Sequence, residues 1–174
     1  MGKIVSPADR RDRKPVQLAA PDATSLYAAG SSATAERKYL NHAERRRVLE
    51  AADKLDLRPA LFVLTLAWSG ARISEVLALT PRSFQIERSL VAIVTLKRRR
   101  WSVREVPIPP ALMQMIAREF SLVEHQCDAG AAGQRLWTMS RTTAWRVVKL
   151  LMGHAGISGR SACARGLRHS FGVG

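Results

Sequence analysis

Between Ser83 and Pro107 the hydrophobic pattern of this chain changes its period, and that change limits the folds open to it. Leu90-Val91-Ala92-Ile93-Val94-Thr95 is short and β-branched, the composition that suits a pleated surface. Trp101 to Val106 alternates again, and Arg98-Arg99-Arg100 between the two runs reads as a hairpin turn. On both sides the period is helical. Asn41 followed by Glu44 is a capping box, with Val48, Leu49 and Ala52 continuing one helical face. Pro59 is expected to open a second helix that buries Leu61, Phe62, Leu64, Thr65 and Trp68 and stops at Gly70. A short helix follows over Arg72–Leu79, halted by Thr80-Pro81. Ala111–Phe120 and Thr142–Met152 are helical, the latter through Trp145, Val148, Leu151 and Met152. Gly153–Gly159 reads as loop, and Leu167–Val173 as the start of a last helix whose Leu167, Phe171 and Val173 would need covering. The expected class is mainly α with a small antiparallel β-sheet.

With 47% hydrophobic residues in 174, one sizeable core can form. Residues 1–37 sustain no apolar period and read as a poorly ordered basic leader; the folded domain is expected over 38–174. No secretory signal is evident. The longest apolar stretch, Ala60–Trp68, is too short to span a bilayer. Met1-Gly2-Lys3-Ile4-Val5-Ser6 fits the loose myristoylation pattern, which is too common to carry weight. Cys127 and Cys163 lack the spacing of a disulfide framework or a zinc site, and no metal or other cofactor is expected. Charge says more. Lys and Arg number 28 against 14 acidic residues, a net +14. A polyanion relieves such an excess by surrendering its condensed counterions, so nucleic acid is the expected partner, and no basic amphipathic helix points to a membrane.

Exchange of a phosphodiester demands charge stabilisation at the phosphate, which two guanidinium groups provide in bidentate fashion at any working pH. It also needs a proton for the leaving oxygen, a role that suits a lysine. Candidates for all three occur in order. Arg72 stands in Gly70-Ala71-Arg72-Ile73-Ser74-Glu75-Val76-Leu77, with Glu75 three residues on and placed to orient the guanidinium. Lys97 closes the first long strand, ahead of a return strand ending Glu105-Val106-Pro107-Ile108-Pro109. Arg168 lies in Arg165-Gly166-Leu167-Arg168-His169-Ser170-Phe171-Gly172.

Together these three boxes resemble those of the tyrosine recombinases, the phage integrase type, over roughly residues 38 to 174. The resemblance implies a tyrosine-recombinase catalytic-domain fold acting on double-stranded DNA in site-specific recombination or integration. It makes Arg72 and Arg168 the phosphate-binding arginines and Lys97 the proton donor. Glu75 and His169 become supporting residues. Arg98, Arg99 and Arg100 are expected to face the DNA backbone, the alternative being a basic turn that is simply solvated. The family usually has His where Arg165 stands; arginine can donate to a phosphate but cannot act as a base, which puts proton shuttling there in doubt. All four residues, Arg72, Lys97, Arg165 and Arg168, are expected on one concave face.

In the family the attacking tyrosine follows the second arginine box. Here Gly174 comes six residues after Arg168, and the tyrosines, Tyr27 and Tyr39, both precede Arg72. These residues alone are therefore expected to be a truncated core without its nucleophile, inactive in strand cleavage. The alternative is a non-catalytic DNA-binding remnant, or a partner of an intact recombinase or of a second copy on DNA. Leu151-Met152-Gly153-His154-Ala155 imitates the family's third box but precedes the second, so His154 is not expected in the site. A cytoplasmic, nucleoid-associated location follows from the expected partner.

Overall fold

The computed structural model describes residues 40–97 and 100–169, the side chains of 96, 97, 100 and 169 excepted. Seven α-helices and one three-stranded sheet occur among them. The capping box forms as expected: the Asn41 side chain accepts the Glu44 N–H at 2.7 Å, and the Glu44 carboxylate accepts the Asn41 N–H at 2.8 Å. Helix α1, His42–Ala51, follows and runs into a 3₁₀ turn, Ala52–Lys54.

Helix α2, Leu57–Ser69, is the hub of the core. It starts two residues earlier than expected, which leaves Pro59 in the first turn, where a missing N–H breaks no helical hydrogen bond. Leu61, Phe62, Val63, Leu66 and Ala67 are buried around most of its circumference, the mark of an interior helix. Leu64 and Trp68 are only half-buried, against expectation, because they lie at the margin of that wrap. The buried hydroxyls of Thr65 and Ser69 donate to the carbonyls of Leu61 and Thr65, at 2.7 and 2.6 Å, so neither is left unsatisfied. Gly70 ends the helix in the left-handed region (φ 58°), its N–H returning to the Leu66 carbonyl at 3.1 Å.

Helix α3 is only Ile73–Leu77, with Arg72 as its extended N-cap rather than its first residue. After a 3₁₀ turn at Pro81–Ser83 come β1 (Phe84–Gln85), β2 (Leu90–Lys97) and β3 (Arg100–Pro107), antiparallel in that order. The two long strands exceed their expected bounds, and β1, at two residues, is too short to leave a periodic signal. In the ladder Val91 faces Val106, Ile93 faces Arg104, Thr95 faces Ser102 and Lys97 faces Arg100. Val91, Ile93 and Val106 are buried, while Val94, Val103 and Trp101 are exposed on the other side of the pleat.

Helix α4, Pro110–Glu119, packs on α2. Helix α5, Leu122–Cys127, has no counterpart among the expected elements. After α5 the chain inserts Trp137, whose ring meets Phe62 and Phe120 edge-on at 5.7 and 5.3 Å. Its indole N–H donates to the Arg58 carbonyl at 3.1 Å. Helix α6, Arg141–His154, is capped by Ser140 and extends past the expected end at Met152 to include Gly153 and His154. Its Trp145 is exposed, not part of the apolar stripe of Ala144, Val148 and Leu151. Helix α7, Ala164–His169, begins three residues before the expected start, and Leu167 is fully buried within its own chain. Phe171 and Val173 lie outside the described residues, as do Tyr27, Tyr39 and the rest of the leader.

Candidate active site

The turn at Gly70 determines how Arg72 is presented. It reverses the chain at the end of α2, so that Ala71 packs into the core and Arg72 emerges extended (φ −78°, ψ 155°) at the start of α3. Glu75 then holds Arg72 twice, accepting its backbone N–H at 2.8 Å and its Nη1 at 2.6 Å. The acid is almost buried, at 8% side-chain exposure, whereas Arg72 keeps 49%. The anchor is thus inside and the cation faces out; the Glu75–Arg72 contact is the one the three-residue spacing allows.

Two further groups converge on the same carboxylate. Thr95, on β2, donates its hydroxyl to Glu75 Oε1 at 3.0 Å. Arg104, on β3, brings Nη2 to 3.5 Å from Oε2 and donates Nη1 to the Ser69 carbonyl at 3.1 Å. Burial alone pushes the Glu75 carboxyl up, but the hydrogen bonds from Arg72 and Thr95 and the charge of Arg72 outweigh it. The net effect holds the carboxyl below its ordinary range, so Glu75 is an anion.

Helix α7 supplies Arg165 and Arg168, one turn apart. It is seated by Leu167 and by Gly166, which approaches the Ser161 carbonyl so closely that no side chain fits between them. The Arg168 guanidinium is held below its ordinary value by burial and then by the charge of Arg72. Glu75 opposes this, and Arg104 adds to it. Arg72, Arg165 and Arg168 line one cavity of about 620 Å³ together with Ser74, Cys163, Arg141 and Trp145. No carboxylate is among its lining residues within the described part of the chain. The charged groups of this lining are all cationic, which concentrates positive potential in the cavity.

Arg141 and Trp145 were not anticipated in the site. Arg141 lay one residue outside the expected Thr142–Met152 helix, and Trp145 fitted the apolar pattern well enough to be assigned to the core. Lys97 ends β2 in register with Arg100, two residues beyond Thr95, and its side chain is outside those described. The same holds for the side chains of Arg100 and His169, and Arg98 and Arg99 lie wholly outside the described residues. His154 lines a different cavity, with Arg47, Glu50 and Lys54. Another hollow, at Phe84–Arg88 and Val123, is about 380 Å³ and holds one opposed pair, Glu87 and Arg88, in place of a charge cluster. Among the described residues there is no group of three His, Cys, Asp or Glu able to hold a metal, and no helix long and apolar enough to cross a membrane.

Residues 38–173 match the phage integrase family. A comparison with curated proteins finds no match. Among solved structures the chain is similar in fold to XerA recombinase, with 23% identity and a TM-score of 0.59 over 76% of this chain and 48% of that one. It is also similar to XerH site-specific recombinase bound to difH substrate in a pre-cleavage complex, with 19% identity and a TM-score of 0.60 over 78% of this chain and 42% of that one. The integrase from mycobacterium phage Brujita gives 17% identity and a TM-score of 0.58, over 79% and 43%. This chain spans less than half the length of each of these structures. The mainly helical architecture with its small antiparallel sheet is the one they share, as the sequence led one to expect.

Proposed function

The chain belongs to the phage integrase family, and from that premise we propose that its 38–174 domain grips the scissile phosphate of duplex DNA in site-specific recombination. The observation that carries this is the convergence of Arg72, Arg165 and Arg168 on one cavity, with no carboxylate in its lining among the described residues. A phosphodiester oxygen pair accepts bidentate donation from such groups, and the added charge of the transition state is stabilised more than the ground state. In this assignment Arg72 and Arg168 take the non-bridging oxygens, and Arg165 is an additional donor that leaves proton transfer to another group. Glu75 holds Arg72 in place. Lys97, one strand period beyond Thr95, protonates the departing 5′ oxygen, while Arg98, Arg99 and Arg100 meet the DNA backbone and His169 supports Arg168. Residues 1–37 are a basic leader outside this core.

The covalent step requires a tyrosine oxygen that attacks phosphorus, forms a 3′-phosphotyrosyl bond and expels the 5′ hydroxyl. Tyr27 and Tyr39 are the tyrosines of these 174 residues and both precede Arg72; we assign neither to the attack. A second reading rests on those positions: a polypeptide of these residues binds DNA beside an intact recombinase, or a second copy, without cleaving. Either way the protein works with cytoplasmic DNA.

Fluorescence anisotropy with a labelled duplex tests the shared claim. Affinity should fall by orders of magnitude between about 50 and 200 mM salt, and Arg168→Ala should shallow the log–log slope by about 0.9, the share of one phosphate contact. Tight binding that ignores salt, or an unchanged slope in Arg168→Ala, would refute it.

A further inference from the structure

We propose that Arg104 is a positioning residue: by bridging the Ser69 carbonyl and the Glu75 carboxylate, it fixes Arg72 for the phosphate. The proposal rests on the phosphate site described above and assigns a task to a residue outside its cavity wall.

Arg104 sits opposite Ile93 in the β2–β3 ladder, on the side of the sheet that carries the buried Ile93. A half-buried guanidinium there is expensive unless its donors are used. They are used at two points that flank Arg72 symmetrically in sequence. Nη1 donates to the carbonyl of Ser69, three residues before Arg72, at 3.1 Å. Nη2 lies 3.5 Å from Oε2 of Glu75, three residues after it. The first contact is the anchor and the second is chiefly a charge contact, given its length. Ser69 is the last residue of α2, where carbonyls lack helical partners and the helix dipole favours a cation.

The consequence falls on Glu75. Its Oε1 serves Arg72 Nη1 and the Thr95 hydroxyl, and its Oε2 serves the Arg72 N–H and Arg104. With both oxygens engaged from two strands and one helix start, the carboxylate cannot rotate, and the Arg72 guanidinium bound to it cannot swing freely. Without Arg104, Oε2 keeps the backbone N–H but loses its link to the sheet, and the Ser69 carbonyl at the Gly70 turn loses its donor. The charge of Arg104 is also felt at Arg168. A lysine has one ammonium point in place of a planar fork and can meet Ser69 or Glu75 but not bridge both.

Site-resolved NMR of the arginine Nε–Hε groups, with inorganic phosphate as the probe, tests this on the 174-residue chain. In the unsubstituted chain, phosphate should shift Arg72 and Arg168 saturably. In Arg104→Gln the Arg72 resonance should move or broaden before any phosphate is added, and the affinity read at Arg168 should fall about tenfold. Arg104→Lys should recover part of that loss, and it carries the test if the glutamine variant does not fold. In an Arg72→Ala background, Arg104→Gln should cost nothing more. Unchanged affinity in both Arg104 variants, with phosphate still bound through Arg72 and Arg168, would overturn the assignment of Arg104 alone. An equal loss in the Arg72→Ala background would also overturn it, since Arg104 would then act on the anion directly. Absence of any saturable shift in the unsubstituted chain would sink the phosphate site, and this proposal with it.

Discussion

Replacing Gly166 by alanine sets two physical effects of opposite sign against each other. Gly166 lies inside α7, and helix propensity alone favours alanine there by about 1 kcal/mol. The added Cβ, however, would lie 2.0 Å from the Ser161 carbonyl oxygen, 2.8 Å from its carbon and 3.1 Å from its Cα. All three are backbone atoms, so no side-chain rotation relieves the contact. Restoring an ordinary carbon–oxygen separation of about 3.3 Å requires α7 and the Ser161 turn to part by roughly 1.3 Å. Leu167, with no exposure, resists that movement. Overpacking of this kind costs about 1–3 kcal/mol. After the propensity gain of about 1 kcal/mol, a net loss of up to about 2 kcal/mol remains, a fall in Tm of up to roughly 8 °C for a domain of this size. Function should suffer more than stability, because the displaced helix carries Arg165 and Arg168 away from Arg72. A misplacement near 1 Å can cost as much as ~10²-fold where geometry sets a rate, so a drop of about tenfold in duplex affinity is expected. Thermal unfolding followed by circular dichroism, and duplex anisotropy on the same preparation, measure the two effects. A raised Tm with unchanged DNA affinity would refute the claim that this close approach seats the arginine helix.

Glu75→Gln should lower stability by about 1–3 kcal/mol at neutral pH, since it removes the charge from a hydrogen-bonded buried network. The folded carboxyl lies below its ordinary 4.5, so its contribution is fully present above that value and is lost as pH falls through the folded one. Acid melts should therefore show a shallower loss of Tm for Glu75→Gln than for the unsubstituted chain, and parallel curves would contradict the network. A polypeptide of these 174 residues should form no phosphotyrosyl adduct on a nicked suicide substrate, read as a slower band on a denaturing gel. A band that vanishes in Tyr39→Phe or Tyr27→Phe would show a nucleophile placed ahead of the first arginine.

Elements whose signals repeat over several turns were legible in the sequence. The capping box at Asn41 and Glu44, the Gly70 stop and the change of period at Ser83 each state a local rule that tertiary packing had no reason to override. What escaped was short or ambiguous. Two residues of β1 cannot establish an alternation, and the six of α5 make less than two turns. Trp145 misled because aromatic residues at helical spacing fit an apolar stripe whether they face the core or a cavity rim. Arg104 escaped for a different reason. In sequence it is one charge in an alternating strand, and its importance arises only when β3 lies beside the end of α2. Non-local contacts of this kind leave no periodic trace.

The electrostatics of the site follow from how few anions it contains. Arg72, Arg141, Arg165 and Arg168 line the cavity and Arg104 stands behind it, while Glu75 is the carboxylate bound among them. Spending that anion on orientation leaves most of the positive potential of the described residues unanswered; the value of Arg168, depressed first by burial, is lowered further by the charges of Arg72 and Arg104. A second acid here would stabilise the fold, but it would occupy the place assigned to the phosphate in the proposed function. A phosphodiester carries a single negative charge at every working pH, so it relieves the repulsion without having to displace a resident partner. Burying Glu75 on the protein side, and leaving about half of the Arg72 side chain exposed, separates the two tasks in space. One face of the guanidinium is fixed by the protein, and in the proposed assignment the other is kept for the phosphate.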